Sequence, residues 1–272
     1  MTLVLLHGAY GAPTDWDDVV AALSSPSLSS SLLSSSTPSS ATTSVRALTV
    51  PGHGRDDTVP PAVDVDDAWL YALDVLEARL ADLPRIHLAG YSLGARLALG
   101  LASRPSVAGR LQSLTLVAGT AGLDDDDARA RRRVVDDERA ASLVNNPDAF
   151  LDAFWQLPLF ESLATHPEKA ARLAERQARA RAHPSVLAWW MRGLSPGRQP
   201  SLWSSLSSLT VPVAVVIGAL DADYVIHARR LQALLPSARL TIVPGVGHAL
   251  LLEAPAAVAA AIAAIADQRA TA

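Results

Sequence analysis

Residues 86–96 read Ile86-His87-Leu88-Ala89-Gly90-Tyr91-Ser92-Leu93-Gly94-Ala95-Arg96. The apolar run at 86–89 has the length and composition of a short buried strand. Residues 95–102 continue as a helix. Between them stands Gly-x-Ser-x-Gly. A chain that leaves a strand and enters a helix within five residues must turn sharply, and the middle residue takes strained backbone geometry. Glycines on both sides avoid the collision that side chains would cause there. The spacing therefore projects Ser92 Oγ at the carboxyl end of a sheet.

Working outward, short apolar runs alternate with longer helical stretches. Strands are expected at 3–6, 45–50, 86–89, 114–118, 213–217 and 240–243. Helices are expected at 15–23, with Asp15 near the N-cap, and at 66–83, 95–102 and 254–266. This alternation predicts an α/β fold: a mostly parallel sheet with helices on both faces. Residues 123–208 break the rhythm. They carry no good strand and are rich in Arg, Ala, Trp and Leu. They read as a helical cap inserted over the carboxyl ends of the sheet, where ligands of open α/β sheets bind. The core is then 1–122 with 209–272, and the cap is 123–208. Residues 24–44 are a low-complexity run of Ser with Thr and Pro, expected as a surface loop or disordered insertion.

A serine hydroxyl needs a base. The run at 213–217 is followed by Gly218-Ala219-Leu220-Asp221-Ala222-Asp223, and the run at 240–243 by Pro244-Gly245-Val246-Gly247-His248. His248 is placed to take the Ser92 proton, with a carboxylate holding its ring and tautomer. Asp221 is the first choice of acid and Asp223 its competitor. His7-Gly8-Ala9-Tyr10-Gly11 follows the first strand. The backbone N–H groups of Ala9 and Leu93 suit an oxyanion hole.

The remaining composition narrows the chemistry. The chain has 272 residues, 50% of them hydrophobic, and a formal net charge of -4. That length fits one large α/β domain. The charge gives no general pull towards nucleic acid or an anionic membrane. No cysteine is present, which excludes thiolate nucleophiles, disulfides and Cys-based metal sites. No His/carboxylate spacing suggests a metal, and no glycine-rich phosphate loop suggests a nucleotide; no cofactor is expected. The start at Met1 lacks the basic region and cleavage site of a signal peptide, and no run approaches a membrane span, so a cytoplasmic protein is expected. His53 and His87 read as structural, and His166, His183 and His227 as helix or loop surface residues.

Lys169 is the only lysine among 23 basic side chains, a bias that genome composition explains for the most part. In the inserted block, Arg129 and Arg132 share one helix face, and so do Arg176 and Arg179. Arg131 and Arg133 point elsewhere and are expected to pair with Asp136 and Asp137. Trp155, Trp189 and Trp190 are expected to pack the cap and wall the cavity. One or two inward arginines would clamp carboxylates.

The elbow at 90–96 and the His7-Gly8 turn resemble the α/β-hydrolase superfamily. Three cap segments narrow the resemblance to the 2-succinyl-6-hydroxy-2,4-cyclohexadiene-1-carboxylate synthases of menaquinone and phylloquinone biosynthesis. They are Gly122-Leu123 followed by acidic residues and Arg129-x-x-Arg132-x-x-x-Asp136, then Gln156-Leu157-Pro158-Leu159-Phe160, then Met191-Arg192-Gly193-Leu194-Ser195-Pro196-Gly197-Arg198-Gln199-Pro200-Ser201-Leu202-Trp203. The chain departs from that family at Ala219, where Glu is usual, and at Asp223, where Lys is usual. Phe154 stands for a cap Trp, with Trp155 beside it. Thr49-Val50 and Ala249 replace an Asp and an Asn.

The resemblance implies a cofactor-free lyase that eliminates pyruvate from 2-succinyl-5-enolpyruvyl-6-hydroxy-3-cyclohexene-1-carboxylate. Ser92 then serves as a base more than as an acylated nucleophile. The substrate is a small anion with several carboxylates, to be met by Arg96, Arg132 or Arg129, and Arg179, with Tyr91 and Trp155 beside it. A positive pocket above Ser92 follows. A serine esterase or C–C bond hydrolase on the same scaffold is the alternative, and a ligand receptor that kept the triad is a third reading.

Overall fold

The computed structural model describes residues 1–25, 44–53 and 63–267. Most of the low-complexity run at 24–44 lies outside the described residues. Six strands form one sheet: β1 Thr2–Leu6, β2 Ser44–Leu48, β3 Ile86–Tyr91, β4 Leu111–Val117, β5 Val213–Gly218 and β6 Ala238–Val243. Their order is β2-β1-β3-β4-β5-β6, and every pairing is parallel. The strands β1, β3 and β5 are buried along their whole length, which is why they read as unbroken apolar runs. The outer strands β2 and β6 keep exposed positions. Strand order reverses between β1 and β3, and a crevice opens at such a point beyond the carboxyl ends. Ser92 stands there, one residue past β3.

The helix Leu93–Ala102 is buried at all its positions. Its seat depends on two glycines. A Cβ on Gly90 would lie 2.2 Å from Gly94 O, and one on Gly94 would lie 2.2 Å from Leu6 O. Backbone cannot yield at such distances, so these two positions accept only glycine.

Several boundaries differ from the sequence reading, among them the starts of the first helix and the fourth strand. The first helix is Asp17–Leu23, entered through a single-turn helix at Pro13–Trp16. Asp15 is therefore not its N-cap; its carboxylate folds back to accept from Ala12 N–H at 3.3 Å. The fourth strand begins at Leu111, three residues before the run at 114–118, because Leu111 is itself buried in the sheet.

Between β4 and β5 the described structure contains only helices and turns. Asp125 caps the long helix Asp126–Asn145 by accepting from Ala128 N–H at 2.6 Å. Asp126 and Asp127 occupy its first turn, where the helix dipole favours negative charge. The expected pairing of Arg131 and Arg133 with Asp136 and Asp137 does not form. Arg131 is exposed and lies 3.9 Å from Asp125, and Arg133 reaches the carbonyl of Gly197. Asp137 instead pairs with Arg192 and Arg198, across the insertion. These partners come from the end of the helix Pro184–Gly193 and the loop after it, which helical spacing alone does not bring into view.

Trp189 and Trp190 also differ from expectation. They do not line the main cavity but dock the insertion onto the core. Trp190 is fully buried, and a Cβ on Gly52 would fall 1.7 Å from its ring. Gly52 has φ +73, so glycine serves there twice. Truncating a buried Trp of this kind costs about 3–5 kcal/mol.

Candidate active site

The strained turn is present. Ser92 has φ 54 and ψ -110, and its N–H donates to Val117 O at 2.8 Å, tying the turn to β4. The loops after β5 and β6 are brought together by Gly218, where a Cβ would lie 2.1 Å from Gly247 O. His248 Nε2 lies 3.0 Å from Ser92 Oγ, and His248 Nδ1 lies 2.5 Å from Asp221 Oδ2. Asp221 and His248 are 5% and 2% exposed, so the bond between them is buried, while half-buried Ser92 faces the cavity. The geometry distinguishes the two acids: Asp221 meets the imidazole, and Asp223 is exposed at the cavity rim. With Nδ1–H given to Asp221, Nε2 can accept the Ser92 proton.

Ala9 and Leu93 both border the same space. Leu93 is the first residue of its helix, where a backbone N–H has no intrahelical acceptor. The loop bearing Ala9 is held by His7. Its Nδ1–H donates to Gly8 O at 2.8 Å, and its Nε2 accepts from Val50 N–H at 3.0 Å. Burial, helped by His53 beside it, pushes the His7 imidazole well below its ordinary value, so it is neutral and fixed in one tautomer.

Above Ser92 lies a cavity of about 390 Å³. Its wall includes Tyr91, Phe154, Trp155, Phe160 and Tyr224, the last with its ring 4.7 Å from that of His248. Five arginines reach it: Arg96, Arg132, Arg139, Arg172 and Arg176. Five aspartates do too: Asp15, Asp18, Asp136, Asp221 and Asp223. The lining is thus balanced in formal charge and is not the positive pocket the arginines alone suggest. Arg132 and Arg139 share Asp136 at 2.8 and 3.1 Å. Arg172 meets Asp18 at 3.0 Å, and Arg176 meets Asp15 at 2.8 Å, two ties from the insertion to the core. Arg176 also lies 5.0 Å over the Trp155 ring.

Of the arginines singled out in the sequence, Arg96 and Arg132 border this cavity. Arg129 does not: it sits half-buried, 3.6 Å from Asp126. Arg179 does not either. It borders a much smaller space with His53, His183 and Leu187, and burial lowers its pKa. Arg139, Arg172 and Arg176 also border the main cavity and were not among those expected to meet the substrate. Their signal was available, since 132, 136 and 139 share a helix face, as do 172 and 176.

The histidine readings divide. His87 is buried with Nδ1 2.8 Å from Ser113 Oγ, and His53 is buried with Nδ1 3.0 Å from Pro51 O. His183 is exposed and His166 half-buried. His227 is no simple surface residue, being half-buried between the rings of Trp203 and Tyr224. Among the described residues there is no cluster of three His, Cys, Asp or Glu that could hold a metal, and no helix long and apolar enough to cross a membrane.

The segment 193–203 also finds its purpose. Gln199 Oε1 accepts from Arg96 at 2.7 Å, Leu194 O accepts from Arg96 at 2.8 Å, and Trp203 Nε1–H donates to Gly122 O at 2.9 Å. It packs against the core and sets the one buried arginine of the elbow helix. Burial lowers the pKa of Arg96 to about 10, which leaves it charged at neutral pH.

Comparison with known proteins agrees with this architecture. The 2-succinyl-6-hydroxy-2,4-cyclohexadiene-1-carboxylate synthase of Serratia proteamaculans (strain 568) is 31% identical over 261 residues, covering 95% of this chain and 90% of that protein. Protein PHYLLO, chloroplastic, of Arabidopsis thaliana is 28% identical over 269 residues. The match takes in 93% of this chain but only 14% of that much longer protein. The solved structure of MenH from S. aureus superposes with a TM-score of 0.83 at 23% identity, covering 99% of this chain and 94% of that one. The model of the Alpha/beta hydrolase family matches residues 3–261. With the elbow, the strand order and these matches taken together, the chain belongs to the alpha/beta hydrolase family.

Proposed function

We propose that this chain is a lyase of menaquinone biosynthesis that eliminates pyruvate from 2-succinyl-5-enolpyruvyl-6-hydroxy-3-cyclohexene-1-carboxylate. The observation that carries the reading is the Ser92–His248–Asp221 chain at the floor of a cavity bordered by Arg96. Relatives bearing the synthase name and aligning along nearly the whole chain support it. In this reading His248 takes the Ser92 proton, and Ser92 Oγ removes the ring proton next to the succinyl carbonyl. The electron pair moves onto the carbonyl oxygen, where the N–H groups of Ala9 and Leu93 stabilise it. Its return expels the enolpyruvyl oxygen, breaking the C–O bond, and the proton passes to the leaving group, which becomes pyruvate. Arg96 and Arg132 bind substrate carboxylates, and Tyr91 and Trp155 wall the ring. No cofactor takes part, and the reaction belongs to the cytoplasm.

The alternative is a serine esterase or C–C bond hydrolase, favoured by the charge balance of the cavity lining, which a neutral ester tolerates. A coupled lactate dehydrogenase assay separates the two. Pyruvate release that disappears in Ser92→Ala supports the lyase. Absence of pyruvate, with efficient hydrolysis of p-nitrophenyl esters, would overturn it in favour of the hydrolase.

A further inference from the structure

Three consecutive peptide N–H groups run through the backbone at His248, and each has a protein acceptor. Gly247 N–H donates to Glu253 Oε2 at 2.9 Å, and Ala249 N–H donates to Glu253 Oε1 at 3.1 Å. The middle donor, His248 N–H, reaches Leu159 O of the helical insertion at 3.3 Å. One carboxylate thus brackets the histidine from both sides, and the insertion holds it from above. Ser162 packs the same loop closely, since a Cβ on Gly247 would fall 2.1 Å from its Oγ.

The bracket has a physical purpose. His248 sits in a loop, where backbone freedom is large unless its polar groups are tied down. Its ring must meet Ser92 on one side and Asp221 on the other, both at short range. A carboxylate offers two ionised acceptors at fixed spacing, and hydrogen bonds to it are stronger than those to neutral oxygens. Glu253 ends the short helix Leu250–Glu253, which starts two residues after His248, so the clamp closes locally.

We propose that Glu253 is a positioning residue: its carboxylate sets the backbone of His248 so that the imidazole stays in line with Ser92 and Asp221. This rests on the Ser92–His248 pair as the reactive centre, and not on pyruvate elimination.

The test uses a fluorophosphonate, which needs no natural substrate. Ser92 Oγ forms a bond to phosphorus, fluoride leaves, and His248 accepts the hydroxyl proton. Glu253→Ala should lower the maximal rate of inactivation by about 100-fold and Glu253→Gln by about 10-fold, as expected for a displaced catalytic group. Gln keeps one acceptor and turns a donor towards the other N–H. The probe's apparent binding constant should stay near the wild-type value in both variants, and their melting temperatures should fall by only a few degrees. Folded Glu253→Gln that reacts at the wild-type rate overturns the proposal. So does a loss that merely tracks the unfolded fraction. If both variants fail to fold, amide exchange in the wild-type chain decides: Gly247 and Ala249 should exchange slowly, and fast exchange at both removes the bracket. A wild-type chain that reacts with the probe but releases no pyruvate overturns the lyase reading and leaves this one standing. A wild-type chain that does not react at all overturns the reactive pair and this proposal with it.

Discussion

The buried guanidinium of Arg96 donates to the side-chain oxygen of Gln199 at 2.7 Å and to the carbonyl of Leu194 at 2.8 Å. Both acceptors are neutral. Each of the other four arginines bordering the cavity faces a carboxylate of the protein. Among the described residues, Arg96 is therefore the cavity arginine with no carboxylate in ion-pair contact, and an anionic ligand would supply one.

Arg96→Gln should raise KM for a carboxylate-bearing substrate by about 10- to 100-fold, the range for a hydrogen bond to a charged group, with a smaller change in kcat. Steady-state kinetics on the anionic substrate reads it. Because the Arg96 pKa is lowered to about 10, and only the protonated form attracts an anion, affinity should fall as pH rises through that value.

Asp221→Asn should lower kcat by about 10⁴-fold, because an amide at Nδ1 favours the wrong imidazole tautomer. Asp223→Asn should change it by less than about 3-fold, within the range of surface substitutions. The reverse pattern would assign the acid to Asp223.

Arg132→Ala should raise KM for the anionic substrate by about 10-fold, while Arg129→Ala leaves it within about 2-fold. Arg132 borders the cavity and Arg129 does not. Asp136 keeps Arg139 and Ser195 as partners in the first variant, so the fold should survive.

Stability should fall as pH drops below the ordinary histidine value of 6.5. Buried His7 has a depressed folded pKa, so the unfolded chain binds a proton there that the folded chain refuses. Above 6.5 both states are neutral and nothing is lost; below it the slope for one such group is at most about 1.4 kcal/mol per pH unit. Urea unfolding between pH 7 and 5 measures this, and His7→Gln should flatten the contribution while lowering overall stability.

Gly94→Ala should destabilise the chain by at least about 3 kcal/mol, because the added methyl meets the backbone of β1, which has no room to yield. Chemical denaturation against the wild type checks this. Gly245→Ala offers a useful contrast: nothing lies near its Cβ, and only its φ of +72 opposes the change.

How far the residues could be read ahead of the coordinates depends on the range of the interaction. The elbow at 90–94 was legible because strand, turn and helix are dictated within a dozen neighbouring residues by apolar spacing and glycine. A mostly parallel sheet followed from the alternation of runs, and every observed pairing is parallel. The candidate acids at 221 and 223 could be named from chain order, with Asp221 the first choice, but which of them faces the ring of His248 is fixed only by the packed loops. Arg96, Arg132 or Arg129, and Arg179 were expected at the cavity; Arg96 and Arg132 border it together with Arg139, Arg172 and Arg176, while Arg129 and Arg179 do not. Helical spacing groups residues by face; it does not say which face turns inward once a helix docks.

By itself, then, the sequence determined the class of fold, the nucleophile turn and the histidine loop, because each depends on local backbone sterics and hydrophobic periodicity. The tertiary structure alone decided the rest: that Asp221 and not Asp223 meets the imidazole, that five aspartates balance five arginines around the cavity, and that Gln199, 103 positions from Arg96, holds it in place. Those outcomes depend on distances between chain segments far apart in sequence, and such distances exist only after the helical insertion has packed onto the sheet.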